Sequence, residues 1–396
     1  MKILMITSYL PYPLFGGGEV RTYNLLKRLS KKHEITLIAY KRSSNTDNDI
    51  NEVKKVCKDI IVLNKDKTWT LKNILRTGFS TMPLLLTVYH SRKDIKAIQN
   101  IIRQNTFDLI HVEPFYIMHN IPQTRTPILL VEHNIEYLVY RRYVNHFPLL
   151  PLRPLLHLDV GKMKEWEKVM WTRADRVAVV SALDKKIIEE TGVKNVAIIP
   201  NGVDLSYFKY SQESSTNPIP TVLYVGNMRW FENRDAVNYL LMQIWPNIKA
   251  QVPQARLLIV GREADKHFSS REDKSIKIYA NVPDIRKFYQ EATCLLAPIR
   301  KGGGTKYKIL EAMASGLPVI TTSIGVEGLE IENNREAKIA ETPTDLANAT
   351  CEILIDKEQS KSLAKNAREL IENKYSWDSI AEKLNILYNG IVNEKN

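Results

Sequence analysis

Cysteine is scarce in this chain: there are three in 396 residues, Cys57, Cys294 and Cys351. An odd number, widely spaced and without a CxxC pair, argues against a disulfide framework or a zinc site, so all three are expected to be buried thiols. Long apolar runs are missing as well. No window offers the roughly 18 uninterrupted apolar residues that a membrane-spanning helix needs. The opening KILMITSYLPYP is too short, and too soon broken by proline, to be a secretory signal. These absences lead to the expectation of a cytoplasmic protein, at most peripheral on the inner face of the membrane. There is no zinc finger, no RNA-recognition motif, no long arginine-rich tail, no internal repeat and no low-complexity tract. Nucleic acid is therefore not expected as a partner, although the net charge is +12.

That charge is unevenly placed. Residues 1–200 carry 31 Lys and Arg against 19 Asp and Glu, whereas residues 201–396 carry 25 of each. Solvated basic helices would account for such an excess, and so would an acidic substrate or an anionic membrane surface.

Apolar strand-like runs are plentiful. KILMIT, EITLIAY, DIIVL, LIHVE, PILLVEH, RVAVVS and VAIIPNG alternate with helix-period segments in the first half. TVLYVGN, RLLIVG, IKIYA, CLLAPI, PVITT and EAKIA do so in the second. Strands so continuously apolar are covered on both faces, which predicts α/β domains with parallel sheets. A chain of this length exceeds one ordinary core. Hydrophobic periodicity stops at residues 205–220, LSYFKYSQESSTNPIP, placing a first domain at 1–204 and a second at 205–375. Open parallel sheets bind ligands beyond the carboxyl ends of their strands, so chemistry is expected in a cleft between two such edges.

The segment RKGGGTKYKILEAMASGLPVITT, residues 300–322, reads as strand exit, glycine loop, helix and strand. Ile309, Leu310, Met313 and Leu317 fall on one helical face, Thr305 is placed to cap the first turn, and Gly316 with Pro318 ends the helix. Glycines admit a ligand close to the backbone, and free N–H groups at a helix start suit an anion. Lys306 and Lys308 add charge, and Glu311 is the one carboxylate available to sugar hydroxyls. Taken alone, the pattern equally describes a glycine turn with solvated lysines. It is neither GxxxxGK[ST] nor GxGxxG.

GGGTKYKILEAMASGLPVITT with SIGVEGLEI resembles the donor-site segment of the retaining glycosyltransferases of family 4, which have the GT-B fold. KILMITSYLPYPLFGGGEVRTYNLLKRLSKKHEITL, EHNIEYLVYRR, VAVVSALDKKII, IIPNGVDLSYF, YVGNM, LLIVG and NVPDIRKFYQEATCLLAPI agree in order and spacing, so the resemblance covers nearly the whole chain. It implies two Rossmann-like domains facing across an interdomain cleft, with a last segment, 376–396, crossing back to the first domain. In that segment Trp377, Ile380, Leu384, Leu387 and Ile391 share a face.

The resemblance also implies site residues. His133, Lys306 and Glu311 would be catalytic, with Glu311 on the ribose hydroxyls and His133 near the transferred sugar. Gly17, Gly18, Asn227, Arg229, Val282, Gly303, Gly304, Thr305 and Lys308 would bind donor, and Gly16 and Glu19 acceptor. On the residues alone, the loop at 16–18 could be a tight strand-to-helix joint and His133 a structural histidine, although Glu132, Asn134 and Glu136 crowd around it. Two features depart from the family pattern. The first of its paired glutamates falls on Gly303, and Asn227 and Glu232 stand where an arginine and a lysine are usual, leaving Arg229, Lys306 and Lys308 to neutralise a diphosphate.

The implied reaction moves a hexose-type sugar from a nucleoside-diphosphate donor to a hydroxyl of a saccharide, lipid-linked or cell-envelope acceptor, with retention of configuration. No cofactor and no metal is implied, and Asp47 and Asp49 in TDND are assigned none. The apolar, proline-broken segment 143–162, flanked by Arg141 and Arg142 and containing Arg153 and Lys162, could line a core or meet an anionic membrane surface. A nucleotide-sugar 2-epimerase and a non-catalytic nucleotide-sugar sensor are the alternatives.

Overall fold

The computed structural model describes residues 1–65, 67–210, 219–302 and 304–395. It divides into two compact units, Met1–Pro200 together with Ile380–Asn396, and Asn201–Ser379. The stretch read as a seam, 205–220, opens the second unit, and its residues 211–218 lie outside the described residues.

Each apolar run of the sequence holds a strand. In the first unit these are β1 (Lys2–Thr7), β2 (Glu34–Lys41), β3 (Asp59–Asn64), β4 (Leu109–Glu113), β5 (Ile128–Glu132), β6 (Arg176–Val179) and β7 (Val196–Ile198). In the second they are β8 (Thr221–Val225), β9 (Arg256–Gly261), β10 (Ile276–Ala280), β11 (Cys294–Ala297), β12 (Val319–Thr321) and β13 (Lys338–Ile339). The sheets run β3-β2-β1-β4-β5-β6-β7 and β10-β9-β8-β11-β12-β13, and neighbouring strands pair in parallel. β4, β5 and β8 are buried along their whole length, as strands covered by helices on both faces must be.

Both sheets start in the middle, build to one edge, then reverse. The reversal falls between β1 and β4 in one sheet and between β8 and β11 in the other. Loops leaving adjacent strands at such a point diverge to opposite faces and open a crevice at the carboxyl ends. Register fixes what lines it: Thr7 pairs with Glu113 at the first crevice. At the second, Leu295 pairs with Leu223, so the loops after Val225 and Ala297 depart side by side.

The helix Trp377–Asn393 belongs to the first unit from Ile380 onward. Its buried face runs through Ile380, Leu384, Tyr388 and Ile391, and Leu387 is only half-buried. Tyr388 replaces Leu387 on the expected face because its hydroxyl finds a buried partner in His111 Nδ1 at 2.5 Å. Cys294 and Cys351 are buried thiols, whereas Cys57 is only half-buried, at the end of a surface helix where it donates to Val53 O at 3.3 Å. Asp49 closes a capping box with Thr46 at the start of the helix Asp47–Lys54. Among the described residues no helix is long and apolar enough to cross a membrane.

Gly261 ends β9 where a Cβ would sit 1.7 Å from the carbonyl oxygen of Gly226, at the exit of β8. Backbone meets backbone there, so no rotamer change relieves the overlap. Gly261→Ala is expected to lower stability by at least about 2 kcal/mol in urea denaturation; a change of a few tenths would mean the two strand exits are not this close.

Candidate functional site

In the first unit the helix Gly17–Leu29 starts directly after the glycine loop, with Gly16 as its N-cap in an extended conformation. Gly17 and Gly18 form its first turn. A Cβ on Gly18 would come within 2.8 Å of the Tyr9 hydroxyl, so a side chain there would displace the Tyr9 ring. Glu19, proposed beside an acceptor, is buried and faces Arg42 at 3.3 Å.

His133 follows β5 immediately, and its Nε2 lies 3.5 Å from Glu113 Oε2. Glu113, the last residue of β4, is fully buried. It accepts from the Thr22 hydroxyl at 2.6 Å, lies 3.1 Å from His111 Nε2, and has Arg21 Nε at 4.0 Å. The Tyr9 hydroxyl bonds Thr22 at 2.9 Å. The glycine loop and His133 are thus joined through Tyr9, Thr22 and Glu113. Burial opposes ionisation of Glu113, but His133 and the hydrogen-bonded His111 outweigh it and hold the carboxyl well below the usual range. A buried, ionised carboxylate fixes the orientation of the imidazole beside it.

The expected crowding of Glu132 around His133 is corrected. Successive residues of a strand point to opposite faces, and Glu132 turns away to accept from Trp171 Nε1 at 3.0 Å and from Phe115 N at 3.5 Å. Glu113, which faces His133 instead, was missed. The signal was in LIHVE, where a histidine and a glutamate two apart share one face of an otherwise apolar strand.

Glu167 accepts from the N–H groups of Glu136 and Tyr137 at 2.7 and 2.9 Å, satisfying the start of the helix Glu136–Asn145 that leaves from His133. Burial pushes Glu167 up to about 8 and Glu136 up to about 7, and burial with the charge of Glu167 raises Glu132 well above the usual range.

In the second unit the glycine loop leaves β11 at the crevice. Gly302 and Gly304 have φ of +108° and +69°, a conformation open to glycine. Gly303 lies outside the described residues. The helix Tyr307–Ser315 begins at Lys306, and Gly316 ends it with φ +79°. Ile309, Leu310, Met313 and Leu317 are buried as the pattern predicts. Thr305 is not the cap: it sits one residue too early, and its hydroxyl instead accepts from Asn201 Nδ2 at 3.2 Å. The helix start has no side-chain cap. Lys306 Nζ folds back onto Gly304 O at 2.6 Å.

Lys308 reaches across the crevice, donating to Asn233 Oδ1 at 2.6 Å and to the Tyr224 hydroxyl at 3.1 Å. Asn233 Nδ2 in turn holds Asn227 O at 2.9 Å, so one lysine ties the glycine-loop helix to the loop after β8. Burial, reinforced by the nearby charge of Lys306 and opposed by Glu232 and Glu311, lowers the Lys308 amine to about 7. Glu311 accepts from the Tyr289 hydroxyl at 2.8 Å, and burial raises its carboxyl against the pull of that bond and of Lys308. Tyr289 was another residue the sequence reading missed.

Lys306, Lys308, Glu311, Gly304, Thr305 and Asn227 thus gather around the exits of β8 and β11. Arg229 stands in the same loop, its N–H donating to Asn227 Oδ1 at 3.1 Å, while its half-exposed guanidinium pairs with Glu263. Val282, just past β10, packs against the core of its unit.

Two family models match the chain, one for each half. Residues 15–207 match Glycosyltransferase Family 4 and residues 219–373 match Glycosyl transferases group 1. Between them they span most of the sequence: each half matches a glycosyltransferase family model, and the two-unit fold is that of the GT-B glycosyltransferases. Among its relatives is the capsular polysaccharide biosynthesis glycosyltransferase CapM of Staphylococcus aureus, 25% identical over 259 residues, 58% of this chain and 65% of CapM. The sucrose-phosphate synthase of Thermosynechococcus elongatus shares the fold with a TM-score of 0.72 at 18% identity, covering 99% of each chain. HepE of Anabaena, solved in complex with UDP-glucose, does so with a TM-score of 0.63 at 15% identity, covering 98% of this chain and all of HepE (100%).

The raised carboxyls set a pH dependence with a definite sign. Between the ordinary 4.5 and about 8, folded Glu167 keeps a proton that the unfolded chain releases, so its contribution to stability falls as pH rises through that window. The loss from about pH 5 to about pH 8 is expected to be about 1 kcal/mol or more, read as falling protection factors, corrected for intrinsic exchange, in the helix Glu136–Asn145. Glu167→Gln should flatten it, and an unchanged slope in that variant would assign the effect to another group.

Proposed function

We propose that the chain is a retaining glycosyltransferase that moves a hexose-type sugar from a nucleoside-diphosphate donor to a hydroxyl of a saccharide, lipid-linked or cell-envelope acceptor. The observation that carries this reading is the helix start at the β8 and β11 exits, uncapped by any side chain, approached by a positive-φ glycine loop, and flanked by two lysines and one carboxylate. The N–H groups of a first helical turn and the positive end of the helix dipole favour a phosphate at that position. Glu311, one and a half turns on, would accept from ribose hydroxyls. Its hydrogen bond from Tyr289 sets the direction of the remaining lone pairs.

In this reading the bond from sugar to diphosphate lengthens first and negative charge collects on the leaving phosphate. The 304–306 amides, Lys306 and Lys308 stabilise that charge, so no metal is required. The acceptor hydroxyl attacks from the face the leaving group departs, and the leaving phosphate takes its proton. His133, held by Glu113, would contact the transferred sugar, and the loop at Gly16–Glu19 the acceptor. The relation to CapM supports an envelope polysaccharide as the acceptor class, and the UDP-glucose complex of HepE supports a uridine nucleotide.

UDP at about 100 times its dissociation constant is expected to stabilise the second unit by about 2.7 kcal/mol. Lys306→Ala and Glu311→Ala should lose that shift, and Lys306→Ala should slow donor turnover by about 100-fold or more. Full turnover by both variants would move the site elsewhere, and UDP-GlcNAc converted to its epimer without acceptor would replace transfer with epimerisation.

Lys308 supplies a second test. Its amine, lowered to about 7, is mostly neutral in mildly alkaline buffer, and a diphosphate beside it would restore the proton. Calorimetry in buffers of different ionisation heat should show net proton uptake on UDP binding, absent in Lys308→Met. Binding without uptake would place the diphosphate away from Lys308.

A further inference from the structure

The helix Leu71–Gly78 is turned inside out. Thr70 caps it by accepting from Asn73 N at 3.2 Å, and the Asn73 side chain is buried, donating to Lys67 O at 3.0 Å and Thr68 O at 3.3 Å. Pinning the polar Asn73 inward forces the apolar stripe outward. Leu71 is 73% exposed, Ile74 and Leu75 are exposed, and the flanking Trp69 and Phe79 are exposed by 72% and 91%. In a soluble surface helix the stripe faces the core, so this arrangement leaves a large apolar ridge in water.

The ridge is firmly seated. Lys162 Nζ donates to Thr77 O and to Ser80 O, both at 2.7 Å, and Trp166 Nε1 donates to Thr81 O at 2.9 Å. These bonds tie the end of the ridge to the helix Arg153–Arg173, whose own first turns expose Leu155 and Leu158. Cations outnumber acids on this surface; the seating helix also carries Asp159, which accepts from Leu84 N at 3.0 Å, and the exposed Glu165. Residues 67–80 contain Lys67, Lys72 and Arg76 and no acidic residue, and residues 137–158 contain Arg141, Arg142 and Arg153 and none. Lys72 and Arg76 are exposed beside the apolar stripe.

We infer that this ridge docks the first unit on an anionic lipid bilayer, with Leu71, Ile74, Leu75 and Phe79 entering the acyl boundary and the surrounding cations meeting lipid phosphates. A protruding ridge with an aromatic residue at each end and an excess of cations around it fits a headgroup layer, where aromatic rings and basic side chains both find their preferred depth. A bilayer is the partner that such charge complements. The inference deepens the reading of an acceptor presented at a membrane by assigning the surface that reaches it. It moves the centre of that surface from the expected segment 143–162 to the helix Leu71–Gly78.

The test uses the full chain and vesicles of phosphatidylcholine with and without phosphatidylglycerol. Wild type should co-sediment with the anionic vesicles at low salt and release at high salt. Each cation near the surface contributes about fivefold in affinity, so Lys72→Glu/Arg76→Glu should weaken binding by at least about 25-fold. Ile74→Ser/Leu75→Ser/Phe79→Ser should weaken it at least about tenfold. Phe79 is almost fully exposed, and Ile74 and Leu75 are half-exposed, so both variants should stay folded, with Tm recorded for each, and keep the shift with UDP. Equal partition of wild type to both vesicle types, binding to neither, or undiminished binding by the variants would overturn the inference. So would a wild-type dimer in analytical ultracentrifugation that the apolar triple variant dissociates, since the ridge would then be covered by a second copy. Failure of UDP to stabilise any of these proteins would count against the donor reading and leave the vesicle result standing.

Discussion

A parallel sheet whose strand order reverses cannot close over its own middle. The two loops that leave neighbouring strands there go to opposite faces, and the backbone groups at the strand ends face an open crevice. The rest of this structure depends on that constraint, met once between β1 and β4 and once between β8 and β11. The residues with the most unusual surroundings stand at those two places: Glu113 at the end of β4, and the loop from Gly302 to Lys306 beyond β11. Gly261 and Gly226 show how tightly the second crevice is built, because the strand exits around it touch without side chains between them.

Electrostatics sorts the buried groups by what faces them. Glu113 remains ionised because two imidazoles and a hydroxyl surround it, although it is as deeply buried as Glu132. Glu132 has a second carboxyl for a neighbour and only an indole N–H and a backbone amide as donors, so it keeps its proton. Lys308 is the basic counterpart: buried beside Lys306 and bonded to neutral oxygens, its amine is poised to gain a proton when an anion arrives. Burial alone predicts none of these states; the partner decides each one. The same reasoning separates Lys306 and Lys308 from Arg229, whose charge is already answered by Glu263.

The charge excess of the first half has a spatial counterpart in the cation-rich surface around the Leu71–Gly78 helix. Exposed apolar groups on a monomer are ordinary when scattered. Here they form a stripe, held outward by the burial of one asparagine, and Lys72 and Arg76 stand exposed beside it.

The sequence by itself determined the strands, their parallel pairing and the two-unit α/β architecture, because apolar runs of strand length separated by helical periods have few other solutions. It also determined the glycine loops and the helix that ends at Gly316, since positive φ and close approach leave few other residues to choose from. It went wrong, or was silent, wherever a side chain's partner comes from a distant part of the chain. Thr305 looked like a cap and bonds Asn201; Glu132 looked like a neighbour of His133 and turns to Trp171; Leu387 gave way to Tyr388; and Glu113 and Tyr289 went unnoticed. Local pattern fixes which face a residue occupies, but hydrogen bonds and ion pairs depend on which strands and helices are brought beside it. Tertiary structure alone decided that His133 rests on a buried carboxylate, that Lys308 bridges two loops, and that one amphipathic helix presents its apolar side to the outside, because each of these is set by contacts between elements far apart in sequence.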